Sequence, residues 1–318
     1  MHLKTQKIIS SFLLSLVVIL GFQALIYILN LNQSGLFIKS AGYIWAYLIL
    51  HIALIYDLHF RDRGGWARAV KKHQNVISTA GRNSKIFFSA LADRVAHLRK
   101  VTFLRHWVNY LILPSVVFWG TVGVLYVNFG FLKIQEITAV LSSVAVILNY
   151  WFLREVVVRE EEVVGSDVFI TLSVVKIYAV TLAFASSLAL VRHYCLSPKY
   201  FAVGIFALTF LLIYQALFQH RLISAKNLSL SLGIGFILGL TGYFLIIFWG
   251  YNYFTGAVFL AVFYNLLWGL FHYSLDKALN LKVFVEIAVI SLLLASMVFS
   301  VTNFKAKLLD GCQYRISL

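Results

Sequence analysis

Residues 59–106 read HFRDRGGWARAVKKHQNVISTAGRNSKIFFSALADRVAHLRKVTFLRH, with eleven Lys or Arg residues against two Asp. A Lys or Arg at the centre of a bilayer costs about 2.5–3.5 kcal/mol even on insertion scales. A run this basic therefore lies in water or at the head groups. It is the one long stretch of the chain with that property. Everything to either side is a succession of apolar runs, and that contrast decides the fold class.

Of the 318 residues, 61% are hydrophobic and 12% charged, and the formal net charge is +15. Soluble domains carry about 25% charged residues, so this composition belongs to an integral membrane protein. In a soluble chain the basic balance would suggest nucleic acid. Here it is accounted for without one, by the cytoplasmic excess of Lys and Arg in membrane proteins and by attraction to anionic head groups.

A helix crosses the hydrocarbon with about 17–25 residues. Nine runs meet or approach that length: 8–29, 38–58, 107–127, 134–153, 168–190, 200–218, 229–249, 254–273 and 283–303. Both faces of each run are apolar, without the alternation of a membrane barrel strand. The expected fold is an all-α polytopic bundle of about nine transmembrane helices, one domain over 1–318. The run at 8–29 exceeds a signal peptide's apolar region and lacks a small-residue cleavage site, so it reads as a retained first helix.

With the amino terminus in the cytoplasm, the inner segments hold nineteen Lys and Arg and the outer ones seven. This orientation is the expected one, and nine crossings then place the carboxyl terminus outside. Within the basic loop, Ser84 is placed to cap a helix whose Phe87, Leu91, Val95 and Leu98 share a face. A shorter helix is expected over 66–78, and the loop as a whole is expected at the inner leaflet against anionic lipid. The inner stretch 154–167 holds five of the chain's twelve acids and is expected to dock onto it. Its Glu161 and Glu162 lack the spaced Arg of prenyl-processing membrane proteases. Likewise Asp62 to Arg68 lacks the further aspartates of phosphatidyl-alcohol transferases.

Polar groups within spans are costly and mark sites. The eighth span carries Asn265, Trp268, Gly269, His272 and Asp276 at i, i+3, i+4, i+7 and i+11, one helical face. His272 and Asp276 are a turn apart, the spacing at which a carboxylate orients an imidazole base, which makes them the candidate catalytic pair. The same face also reads as an ordinary packing surface. Lys176 is the lone Lys or Arg well inside a span. Its stem is long enough to snorkel to the inner surface, and the competing reading is an interior contact with a solute. His51, near the inner end of the second span, is a further interior candidate. Ser231, Gly235 and Gly239, spaced by four, form a small-residue stripe for close helix packing. No His or Cys spacing specifies a metal, and no cofactor motif is present. Cys195 and Cys312 both fall on the expected outer face, where a disulfide is one possibility.

Three classes of function fit these features. The leading one is transport or accommodation of a small or lipidic solute, with Asn265, Trp268, His272, Lys176 and His51 as interior polar contacts. The second is a membrane-embedded enzyme acting on a lipid or lipid-linked substrate at the inner leaflet. The third is a non-catalytic scaffold.

Overall fold

The computed structural model describes residues 2–62, 103–158, 166–219, 222, 224–249, 252–275 and 278–302. Among them are nine α-helices: α1 (His2–Asn30), α2 (Ser34–Asp62), α3 (Phe103–Val127), α4 (Leu132–Val158), α5 (Ser166–His193), α6 (Pro198–Gln219), α7 (Ala225–Phe248), α8 (Tyr253–Leu275) and α9 (Leu281–Val301). Each coincides with one of the nine expected runs. Eight contain stretches long and apolar enough to cross a bilayer, and α3 contributes a shorter one, Leu111–Val127. The physical reason is simple: hydrocarbon offers no partner for a backbone N–H or C=O, and a helix satisfies them internally. The chain is a polytopic integral membrane protein.

The helices outrun the apolar runs. Helix α2 continues to Asp62 and α3 begins at Phe103, so both ends of the basic stretch 59–106 are helical extensions of spans. Its expected internal helices, over 66–78 and from Ser84, lie outside the described residues. So does the acidic stretch between α4 and α5, apart from its helical ends.

Where the connections are short they force successive helices to alternate in direction, and cross-links at matched depths fix the register. At one end, Asn30 Nδ2 donates to Gln135 Oε1 (3.4 Å), Arg192 Nη2 to the Trp249 carbonyl (2.8 Å), and the Tyr253 hydroxyl to Asn128 Oδ1 (3.0 Å). The Tyr126 and Tyr194 hydroxyls, 2.8 Å apart, belong to the same end. Three turns here use left-handed backbone, at Asn32 (φ 59°), Gly130 (φ 85°) and Cys195 (φ 51°); Asn and Gly are the residue types that tolerate it best. Toward the opposite end, Ser11 of α1 meets the Tyr150 hydroxyl of α4 at 3.4 Å.

Helix α5 is the centre of the bundle, packed on α3, α4, α6 and α8. Two-thirds of its apolar stretch is buried, against none of that of α9, which lies on the outside. Glycines set the closest approaches. A Cβ at Gly120 would lie 3.0 Å from the Ala183 nitrogen, and one at Gly123 only 2.5 Å from Ser186 Cβ, so α3 and α5 touch nearly backbone to backbone. The expected stripe on α7 works in the same way. A Cβ at Gly239 would lie 2.9 Å from the Ala202 carbonyl oxygen, and one at Gly235 3.2 Å from Phe206. The partner of that stripe is thus α6 of the same chain, and Ser231 is fully buried at its end, its hydroxyl donating to the Asn227 carbonyl. Close packing of this kind substitutes for the hydrophobic effect, which lipid does not supply between helices.

Candidate functional site: a lateral cleft between α5, α8 and α9

The polar face of α8 opens into a half-open cleft of about 360 Å³. One wall is α8, with Tyr264, Asn265, Trp268, Gly269, His272 and Tyr273. The second is α5, with Ser173, Lys176 and Ile177, and Ile287 of α9 closes the third side. Since α9 is the outermost helix, the cleft opens sideways, toward where lipid lies. Its His272 end faces the side of the bundle where α2 ends and α3 begins.

Lys176 is only 7% exposed, and its Nζ stands 5.5 Å from the centroid of the Trp268 ring. A cation over an indole face is stabilised by about 0.5–2 kcal/mol. That is less than the several kcal/mol which burying an ammonium costs. Among the described residues no carboxylate pairs with it, so the compensation they give this cation is only partial. Lys176 sits ten residues into α5, about 15 Å along the helix. The side chain turns inward onto α8 instead of running out along α5 to the surface.

The neighbouring polar groups are incompletely satisfied. Tyr264 is 1% exposed, and its hydroxyl has no hydrogen-bond partner among the described residues. Asn265 is exposed at the opening, ten residues before the end of α8. That is about 15 Å in, half of the hydrocarbon thickness, and its amide makes no hydrogen bond among the described residues. Further toward the helix end, the His272 ring lies 5.4 Å from Trp268 and 6.2 Å from Tyr273 by centroids. At Gly269 a Cβ would make only an ordinary contact with Ile287, at 3.8 Å.

Four of the expected interior contacts, Asn265, Trp268, His272 and Lys176, are therefore gathered in one place. Asp276, the expected partner of His272, lies outside the described residues. His51 does not line this cleft. It is on α2, stacked on Tyr47 (5.5 Å between centroids) with Nδ1 3.4 Å from the Tyr47 hydroxyl. Ser173, Tyr264 and Tyr273 are the polar lining residues that sequence reasoning missed, with Ile177 and Ile287 the apolar ones. Ser173 had a legible signal, one turn before Lys176 on the same face. Tyr264 had none, because a tyrosine in an apolar span looks like core until its hydroxyl is seen to lack a partner.

A second polar group, away from the cleft, ties α3, α4 and α5 together. The hydroxyls of Thr121, Ser142 and Tyr178 stand 2.7 and 2.8 Å apart in a chain. Its members satisfy one another, which makes it structural.

Among the described residues no group of three His, Cys, Asp or Glu side chains could hold a metal ion. No protein-family model, curated protein or solved structure matches the chain. Fold and site together define a polytopic helical membrane protein with a polar cleft open to the side.

Proposed function

We propose that the protein accommodates a small or lipidic solute in the α5/α8/α9 cleft, in the course of transporting it or presenting it at the inner leaflet. The observation that carries this reading is Lys176, buried at membrane depth, without a carboxylate partner among the described residues, in a cleft open sideways. A scaffold packed for rigidity has no use for a partly compensated cation there, since replacing such a group by an apolar one of equal size is commonly neutral or stabilising. The orientation belongs to the same reading. The amino terminus is cytoplasmic, the carboxyl terminus outside, and the basic segment rests on anionic head groups of the inner leaflet.

The test is a photo-crosslinking residue introduced at Ile287, inside the cleft, and separately at Leu292, a strongly exposed residue of α9, in intact cells. The mass of the purified protein should show a discrete adduct at Ile287 and a spread of bulk phospholipid adducts at Leu292. The same spread at both positions would mean that the cleft is merely lipid-filled, and the proposal would fail.

A further inference from the structure

We infer that the solute held in this cleft is an amphiphile with an anionic head group, a carboxylate or a phosphate monoester on an apolar chain, which enters sideways between α5 and α9. This rests on the reading that the cleft binds a solute, and it specifies which chemistry does so.

The first argument is donor balance. Lys176 offers ammonium N–H groups, Tyr264 a buried hydroxyl with no partner among the described residues, and Asn265 an amide with both donor and acceptor. Donors outnumber acceptors, and the one full charge among these three groups is positive. That pattern fits an oxyanion and disfavours a cation or a neutral donor.

The second argument is access. Asn265 is exposed at about mid-bilayer depth, where an amide facing hydrocarbon alone is unfavourable. An occupant that brings its own acceptor resolves this. A water-borne anion would have to cross hydrocarbon to reach the opening, whereas an amphiphile is already in the leaflet. The apolar side chains at the opening, Ile177 and Ile287, suit the first methylenes of a chain.

The third argument is size. A volume of about 360 Å³ is at the small end of ligand sites. It takes a compact head group and leaves a long chain outside, in lipid. At the proposed inner face, the basic stretch 59–106 would also concentrate anionic amphiphiles near the cleft.

The test uses the full-length protein in neutral phosphatidylcholine nanodiscs, titrated calorimetrically with dodecyl phosphate, dodecanoate, dodecyltrimethylammonium and inorganic phosphate. Protection of the Ile287 crosslinker is read in parallel. Dodecyl phosphate or dodecanoate should saturate one site, and which of the two binds tighter separates phosphate from carboxylate. Lys176→Met should weaken that binding about 10- to 100-fold, the range for losing a charged hydrogen bond. Lys176→Arg should keep most of it, and Tyr264→Phe should weaken it about 2- to 10-fold. Unchanged affinity in Lys176→Met overturns the inference, as does inorganic phosphate binding as tightly as dodecyl phosphate. If dodecyltrimethylammonium alone protects Ile287, the cleft binds a solute but the anionic assignment is wrong. If no probe protects it, both readings fall.

Discussion

Gly123→Ala isolates the contact between α3 and the central helix α5. A Cβ at residue 123 would sit 2.5 Å from Ser186 Cβ and 3.1 Å from its Oγ, whereas carbon atoms in contact rest at about 3.5–4.0 Å. The helices would have to part by about 1 Å. They cannot do so locally without loosening Gly120, one turn away, whose own Cβ position is 3.0 Å from the Ala183 nitrogen. Overpacking of this kind costs about 1–3 kcal/mol, offset by up to about 1 kcal/mol from replacing a helical glycine. An approach of 2.5 Å belongs to the upper half of that range, about 2–3 kcal/mol, so the expected net loss is about 1–2 kcal/mol. Ser186→Gly supplies the internal control. It removes the atoms that collide and leaves Ser186 Cα at 3.6 Å, an ordinary contact, so the double variant moves the glycine from one helix to the other. Its stability should return to within about 1 kcal/mol of wild type, with a favourable coupling of about 1–3 kcal/mol between the two changes. Unfolding by SDS titration from mild detergent micelles, followed by circular dichroism, measures all four corners of the cycle. If Gly123→Ala is as stable as wild type, or if the double variant loses the sum of the two single losses, the proposed backbone-to-backbone contact is wrong.

Three further outcomes are expected. Lys176→Met should raise the stability of the ligand-free protein by about 1–4 kcal/mol, because it removes a buried charge for the loss of a cation–π contact of about 0.5–2 kcal/mol. A lower melting temperature in delipidated micelles would show that Lys176 is structurally compensated. Cys195 is disulfide-bonded, so it should resist maleimide labelling in SDS until a reductant is added; labelling before reduction would contradict this. Its one possible partner within the chain, Cys312, lies outside the described residues. Finally, protease added to inside-out vesicles should cut within 63–102, and in right-side-out vesicles it should spare that segment. The reverse pattern would invert the proposed orientation.

Much of the architecture was readable beforehand, and particular residues show where legibility stopped. The runs of apolar residues became α1 to α9 because backbone in hydrocarbon has one local solution. The spacing of Asn265, Trp268 and His272 on α8 was visible because the helical period is fixed at 3.6. The association of Lys176 with that face is legible in the sequence only as a residue type inside a span, not as a geometry. It joined the site because α5 packs against α8 with Lys176 turned toward Trp268. Nothing in the hydropathy of either helix encodes that facing, since lipid and neighbouring helices are equally apolar surroundings. The same blindness hid Gly120 and Gly123, whose importance depends on what α5 places opposite them. It also left open the partner of the Gly235 and Gly239 stripe.

Membrane residence and the nine helices among the described residues were thus determined by the sequence alone, through the energetics of transferring each residue to hydrocarbon. Tertiary structure decided which faces meet. It sent α6 onto α7, set α5 at the centre, left α9 outside and His51 apart, and opened a side-facing cleft over Lys176 and Tyr264. In a solvent that rewards no apolar face over another, those choices rest on steric fit and on which polar atoms find partners, and both depend on residues far apart in the chain.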